Sequence, residues 1–322
     1  MKKCLDCWNI VLFLNLLLGF SAYTQRVNTE LIGKEKSPFV SQISNLELIY
    51  HNKPPINFLL NVSENKLLPL VYYKAEKESF KVDQGRFLQI KNEIPGFCTQ
   101  NISFGGKTVT LSLQKTVIHA PDFHILTSEG QKIYPDVSDM LFYTGIIQGS
   151  EQSLVTVSIF DDEWHYLISS EQGNYEIHIS SDGIGEGLYS KINTSHHNDI
   201  IDSHVQIPSQ RSRVTTGSRS GNCIEIFMEC DYHTHQALGN NIDATNVWIG
   251  NLFNNVAAVY AMHQVPLVLR QVFIWTNSDP YTSATNPGQW RDLFVAHRQN
   301  NYNGKLAILV SSREIGGGIA NG

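Results

Sequence analysis

Between Phe80 and Ile184, hydrophobic and polar residues alternate in short runs. Val109–Leu113 alternates strictly, and Leu154–Phe160 and His165–Ile168 have the composition of further strands. Turn-forming pairs separate the runs: Gly105-Gly106, Pro121-Asp122, Gly149-Ser150 and Asp182-Gly183. No long apolar repeat of helical period is present in this stretch. The pattern therefore predicts an antiparallel β domain.

The pattern changes after residue 222. Cys223–Glu229 alternates like a strand, and Asp243 is predicted to cap a helix that follows it. The apolar face of that helix recurs every three or four residues: Trp248, Leu252, Val256 and Val259. Val265–Trp275 predicts a second strand. This part of the chain therefore has the alternation of strand and helix that is typical of α/β proteins.

A second helix and a third strand follow. Asn286 and Pro287 are the N-cap and first-position residues of a helix start, and apolar residues with His297 share one side of the helix. Leu306–Val310 is apolar enough to be a central strand. Strands joined through helices imply right-handed crossovers, so we expect a largely parallel sheet over residues 222–322.

The first residues have the pattern of a secretory signal peptide. Lys2 and Lys3 precede the apolar run Ile10–Phe20, and small residues follow it. The run is shorter than the about 20 residues that a membrane-spanning helix needs. We therefore expect residues 1–24 to be removed on export. Residues 25–78 would form a mixed N-terminal pro-region, and the product would be secreted without a stable membrane anchor.

A polar segment joins the two predicted domains. Residues 208–221 are rich in Ser, Thr and Gly, and they carry Arg211, Arg213 and Arg219. A segment with so little to bury is expected to be exposed and accessible to proteases. It is therefore interpreted either as a processing site for a basic-specific protease or as a plain interdomain linker.

Charge and cysteine content narrow the functional classes. The formal net charge is −6, and no basic stripe with interleaved aromatic residues is present, which argues against nucleic acid as a partner. Beyond the signal peptide the cysteines are Cys98, Cys223 and Cys230. If Cys223 and Cys230 lie on one extended strand, they are roughly 23 Å apart, which is too far for a disulfide. Their disulfide partners stay undetermined.

The chain contains no complete catalytic motif. None of its 12 histidines stands in His-Glu-x-x-His, the helical pair that presents two imidazoles to zinc. Neither a Gly-x-Ser-x-Gly elbow nor a phosphate-binding glycine loop is present. Asp231, His233 and His235 are interpreted as a polar strand-to-helix loop in preference to a metal site.

Two stretches resemble the reprolysin family of zinc proteases. Residues 108–177 are similar to the family's propeptide, with Tyr-x-Gly-x-x-x-Gly followed by Ser-x-Val-x-x-Ser. These places are held by Tyr143, Gly145, Gly149, Ser153 and Ser158. The stretch from Cys223 to Ala320 resembles the start of a reprolysin-like metzincin catalytic domain. The resemblance implies a β-rich propeptide over residues 79–207, followed by an incomplete catalytic domain, its upper subdomain, over residues 222–322.

The resemblance also implies where the family's functional groups would lie. The zinc ligands and the glutamate base are expected beyond Gly322, so none is assigned here. Gly316, Gly317, Gly318, Ile319 and Ala320 correspond to the approach to the edge strand that binds an extended peptide substrate. Glu225 matches an acidic position that helps to hold calcium in some members. A cysteine that caps the zinc is absent from residues 186–221, and Cys98 lies far upstream.

The leading hypothesis is thus the N-terminal part of a secreted zinc metalloendopeptidase zymogen, inactive as it stands. Its implied cofactors are Zn²⁺ and, through Glu225, Ca²⁺. Its partners would be protein or peptide substrates, and its propeptide would bind its own catalytic domain. The alternative is a non-catalytic secreted binding or adhesion protein on a degenerate protease scaffold.

Overall fold

The computed structural model describes residues 37–55, 59–61, 66–70, 73–83, 93–104, 107–160, 163–179, 184–190, 223–299 and 301–313. The predicted signal peptide, the arginine-bearing linker 208–221 and the glycine-rich segment Gly316–Ala320 lie outside these residues.

Strands dominate the described chain. In chain order they are β1 (Leu59–Asn61), β2 (Lys66–Leu70), β3 (Tyr73–Val82), β4 (Phe97–Phe104), β5 (Lys107–Thr116), β6 (His119–Thr127), β7 (Lys132–Ile133), β8 (Leu141–Ile147), β9 (Ser150–Ile159), β10 (Trp164–Ser170), β11 (Gly173–Ile179), β12 (Ile184–Ser190), β13 (Ile224–Cys230), β14 (Leu267–Ile274) and β15 (Leu306–Val310). The helices are α1 (Pro38–Tyr50), α2 (Tyr232–Ala237), α3 (Ile242–Met262) and α4 (Pro287–Arg298). The fold is therefore β-rich.

The larger sheet has ten strands in the order β1-β3-β12-β11-β10-β9-β8-β5-β4, with β2 also paired to β3. All of its pairings are antiparallel. One face carries a large apolar core that includes Phe80, Leu111, Tyr143, Trp164 and Tyr175. The predicted β strands of this region are confirmed, because alternation places every second side chain on that face.

Gly145 in β8 and Gly149 in the turn after it are the two glycines of the Tyr-x-Gly-x-x-x-Gly motif, and the backbone at both positions favours glycine over larger residues. A Cβ on Gly145 would lie 1.9 Å from the Ser112 carbonyl oxygen on the neighbouring strand β5. Gly149 has a φ of 79°, in the left-handed region that glycine adopts without penalty. Both positions therefore favour glycine for the β8–β9 hairpin.

The smaller sheet has the order β15-β13-β14-β6-β7. Strands β13, β14 and β15 run parallel, as predicted. The next strand, β6, comes from between β5 and β8 of the large sheet, and it also pairs in parallel with β14. The predicted turn at Pro121-Asp122 is wrong. These residues lie inside β6, at an irregular step in its register, where the missing N–H of proline costs no ladder bond.

Helix α3 lies between the two sheets. Its residues Ile249, Leu252 and Phe253 pack with the core of the small sheet. On the other side, Asn254 Nδ2 donates to Ser158 Oγ at 3.0 Å and to the Val157 carbonyl at 3.2 Å. Residues Leu154–Phe160 are consequently buried without interruption, because the core covers one face of β9 and helices cover the other.

The structure corrects several predictions about the helices. Helix α1 was not predicted. It begins at the Ser37 cap with Pro38 in its first turn, and Val40 and Ile43 pack against Ala258 and Met262 of α3. The cap of α3 is Asn241, whose side chain accepts bonds from two backbone N–H groups, and not Asp243. All four residues of the predicted apolar face of α3 pack in the two cores, although Trp248 and Val256 are only half-buried.

The third parallel strand, β15, was predicted to be a central strand of its sheet, and it is not. The bounds of β15 match, but among the described strands it stands at an edge of the sheet, paired with β13 alone. Helix α4 begins at Asn286 and Pro287 as predicted, yet Arg298 is its one fully buried residue. In the part of the chain that the structure describes, the face of the small sheet that carries α4 is therefore less covered than the face that carries α3.

Replacing Asn254 by Ala is expected to lower the free energy of unfolding by about 2 kcal/mol, because the Ser158 hydroxyl loses a buried donor and a cavity opens. Urea denaturation of the whole chain measures the change. The exposed Asn301→Ala serves as the control and should cost under about 0.5 kcal/mol. Equal effects of the two substitutions would contradict the role assigned to Asn254.

Candidate functional site

The carboxyl ends of the parallel strands, where open α/β sheets usually bind ligands, carry a buried polar network. Its centre is Glu229 on β13, which is fully buried. One carboxylate oxygen accepts bonds from the Tyr281 hydroxyl and the Trp275 indole, and the other accepts a bond from Arg298 Nε. The Arg298 guanidinium also lies 4.0 Å from the ring centroid of Phe273. The Glu229 carboxylate thus forms an ion pair with one cation and accepts hydrogen bonds from two neutral donors.

A second carboxylate pair continues the network toward β15. Asp231 caps α2 by accepting the Thr234 N–H at 2.9 Å, and it accepts the Ser311 hydroxyl at 2.7 Å. Arg313 Nε lies 3.3 Å from Asp231, and Arg313 Nη2 lies 3.3 Å from Asp279. Asp231 lies at the strand-to-helix junction as interpreted, but His233 and His235 lie inside α2 and not in a loop. The network also holds the end of β15 and the residues that follow it against β13.

The network raises the pKa of Tyr281 and of its neighbour Cys230. Burial, followed by the charge of Glu229, raises the pKa of Tyr281. Burial also raises the pKa of the Cys230 thiol, and the neighbouring Asp231 and Glu229 charges add to this effect. Both groups therefore stay protonated at neutral pH, so the Cys230 thiol is a poor nucleophile in this structure. The arrangement stabilises structure; it does not resemble an assembled catalytic centre.

Glu225, the predicted calcium position, faces a cation from the chain itself. Its Oε1 accepts a bond from Arg270 Nη1 at 2.6 Å, and Arg270 Nη2 donates to Asp122 Oδ2 at 2.8 Å. The Arg270 guanidinium therefore lies between two carboxylates, one from β13 and one from β6. Asp122 was not singled out from the sequence, because only the pairing of β6 with β14 brings it here. Calcium binding at Glu225 remains a prediction.

The β-rich region contains two buried titratable groups, Cys98 and His119, and Cys98 is the candidate for a cysteine that caps the zinc. Burial raises the pKa of Cys98 to about 12, so its thiol is protonated at neutral pH in this structure. His119 on β6 lies between Phe123 and Phe142, and burial lowers its pKa to about 4. Its Nε2 has no hydrogen-bond partner. His119 is thus a neutral core residue of the contact between the two sheets.

One group of potential metal ligands lies elsewhere in the large sheet. Glu163, His165 and His178 place one ligand atom each within 4.8 Å of one another. Among the described residues it is the one such group of three. The sequence spacing matched no metal motif, because the ligands meet only across the β10–β11 hairpin. These residues lie on the β10–β11 hairpin and in the turn before it, and they do not form a His-Glu-x-x-His pair.

No family model matches the chain. A chain from the structure of a chaperone–substrate complex is similar to 41% of this chain over 83% of its own length, with 18% identity and a TM-score of 0.26. Metalloproteinase-II from Bacteroides fragilis is similar to 66% of this chain, with 8% identity and a TM-score of 0.35. This chain spans 62% of that metalloproteinase. Neither likeness is close enough to define the fold.

Among the described residues, no helix combines the length and the apolar character that crossing a membrane requires.

Glu229→Gln and Arg298→Met are each expected to lower the free energy of unfolding by about 3–5 kcal/mol, because each leaves a buried charge without its partner. The double variant should cost less than the sum, since it removes both charges. Urea denaturation of the four proteins measures the coupling. At the exposed pair Arg291–Asp292, Asp292→Asn should cost under about 1 kcal/mol. Additive losses at Glu229 and Arg298 would contradict the pairing.

The stability of the chain should fall in acid partly through His119. Its folded pKa of about 4 lies below the unfolded value of 6.5, so the unfolded chain binds the proton first. The contribution is complete above pH 6.5 and is lost as the pH falls toward 4, by up to ~3 kcal/mol. His119→Leu should reduce this slope, whereas exposed His51→Leu should not. Some slope remains, because burial also lowers the pKa of His165 and His235.

Proposed function

We propose that the chain is the pro-region and first catalytic segment of a secreted zinc metalloendopeptidase zymogen. In this proposal, residues 79–207 are the propeptide and residues 222–322 are the upper subdomain of a metzincin. The observation that supports it best is the position of β6. A strand from the proposed propeptide extends the central sheet of the proposed catalytic domain.

The contact between the two regions is extensive. Leu269 N donates to the Ile118 carbonyl at 2.7 Å, and Ser128 N donates to the Ile274 carbonyl at 2.9 Å, so both ends of β6 are bonded to the β14 region. A single apolar core contains residues from both regions: Ile118, Phe123, Ile125, Phe142 and Phe160 with Ile226, Met228, Ile249, Phe253 and Leu269. The proposed catalytic segment thus buries its apolar surface against the proposed propeptide.

This arrangement fits an intramolecular folding partner. A parallel sheet has few local contacts, and a strand supplied in advance gives β14 a neighbour on which to form. Cleavage in the linker 208–221 would cut the covalent connection and leave the β6–β14 ladder and the shared core in place. Latency would then persist until the propeptide is removed. No hydrolytic step is assigned to residues of this chain, because it carries no His-Glu-x-x-His.

A second candidate is a non-catalytic secreted binding protein on the same scaffold. The carboxylates of Glu229, Asp231 and Asp279 all accept hydrogen bonds from donors of the chain itself. This favours the second candidate, because these carboxylates stabilise the fold instead of facing a substrate. Expression of the reading frame through whatever follows Gly322 separates the two candidates. Peptide cleavage that a chelator abolishes supports the protease, and binding without cleavage supports the alternative.

Limited trypsin treatment should cut within residues 208–221 and leave the two pieces associated. Size-exclusion chromatography should show one species in buffer and two pieces only in urea, because the β6–β14 ladder and the shared core remain. Simultaneous Arg211→Gln, Arg213→Gln and Arg219→Gln replacement should block cleavage at this segment and provides the control. Separation of the pieces in plain buffer would sink the propeptide assignment.

A further inference from the structure

We propose that Glu163, His165 and His178 form a binding site for a divalent transition-metal ion, best suited to Zn²⁺, in the β-rich region. The site is separate from the catalytic zinc of the proposed enzyme. It does not depend on that proposal, because it is built entirely from residues of β10, β11 and the turn before them.

The strand register brings the three ligands together. His165 and His178 are directly opposite each other on the antiparallel strands β10 and β11. Their rings stack with centroids 4.6 Å apart and an interplanar angle of 19°. Glu163 lies in the turn two residues before His165, and its Oε2 faces the Nε2 atoms of both imidazoles. The three side chains therefore converge on one point.

The distances fit a tetrahedral ion. Glu163 Oε2 lies 3.4 Å from His165 Nε2 and 3.7 Å from His178 Nε2. Zinc bonds of about 2.0–2.1 Å in tetrahedral geometry hold neighbouring ligand atoms roughly 3.3–3.4 Å apart. The carboxylate-to-imidazole distances are close to this spacing, all three ligand atoms lie within 4.8 Å of one another, and the stacked imidazoles must turn for both nitrogens to face one ion. Two imidazoles and one carboxylate leave the fourth position for water, as in zinc sites that have three protein ligands.

A simple ion pair accounts less well for the same geometry. His165 Nε2 is buried, and its contact with Glu163 Oε2 at 3.4 Å is longer than the about 2.7–3.2 Å of an ordinary N–H···O hydrogen bond. An ion at this point would satisfy the buried nitrogen and the carboxylate together.

The surroundings hold the ligands in place and leave an entry path. Phe160 N donates to the Glu163 carbonyl at 2.8 Å, which fixes the turn between β9 and β10. The Phe160 ring lies edge-on to His165 with centroids 6.2 Å apart. Glu163 and His178 keep 44% and 45% of their side-chain surface exposed, so an ion can reach the site from solvent.

The site lies where it can reinforce the contact with α3. His165 is paired in register with Ser158, whose hydroxyl accepts the bond from Asn254 of α3. A metal ion would join β10, β11 and the β9–β10 turn beside this contact. Binding is therefore expected to stabilise the β-rich region and its packing on the helix.

The test uses the untagged full chain, stripped with a chelator and titrated with Zn²⁺ or Co²⁺. We expect one equivalent to bind at this site, with the visible absorption of tetrahedral Co²⁺. The melting temperature should rise by roughly 5 °C at free zinc about 100 times Kd. His178→Ala and Glu163→Gln should each weaken this binding by more than about 100-fold, since loss of a ligand exceeds loss of a supporting group.

Exposed His263→Ala is the matched control and should leave the zinc response unchanged. Urea midpoints measured with chelator show whether the site variants fold like the parent chain. An unchanged zinc-dependent rise in melting temperature in folded His178→Ala would overturn the proposal. A six-coordinate Co²⁺ spectrum that is the same in the parent and in both variants would overturn it as well.

Discussion

The fold depends on the burial of both faces of β9. One face of this strand meets the core of the large sheet, and the other meets α1 and α3. The contact with α3 is partly polar: Asn254 binds Ser158, and Asn255 accepts a bond from the Thr156 hydroxyl. Because buried amides are costly without partners, these pairs set the register of the helix on the strand. The position of α3 in turn sets the place of the parallel sheet.

The excursion of β6 out of the large sheet ties the two layers together. The chain leaves β5, forms β6 and β7 beside β14, and returns to β8, which pairs with β5. The small sheet therefore takes its β6–β7 edge from a segment that lies between two paired strands of the large sheet. The two regions are separable in the order of the chain but share one apolar core. A processing event in the linker would cut the chain without touching this core.

The buried charges divide by function. The first group has carboxylates that bind donors of the chain itself: Glu229, Asp231 and Asp279. These bonds hold the ends of β13 and β15 together. Glu163, His165 and His178 lie in the other sheet, where the carboxylate contacts both imidazoles at distances longer than ordinary hydrogen bonds and where a path to solvent is open. The second group is therefore the more informative about ligands.

Strands and helix starts could be predicted from the sequence, because they depend on residues that are close together in the chain. Alternation predicted the strands of the large sheet, and Asn286 with Pro287 predicted the start of α4. The pairing of β6 with β14, the contact of Glu229 with Arg298 and the convergence of Glu163 on His178 were decided only by the tertiary structure. Each joins residues whose separation along the chain is unrelated to their separation in space. No periodicity or motif records such contacts, because loop closure and packing decide which distant segments meet.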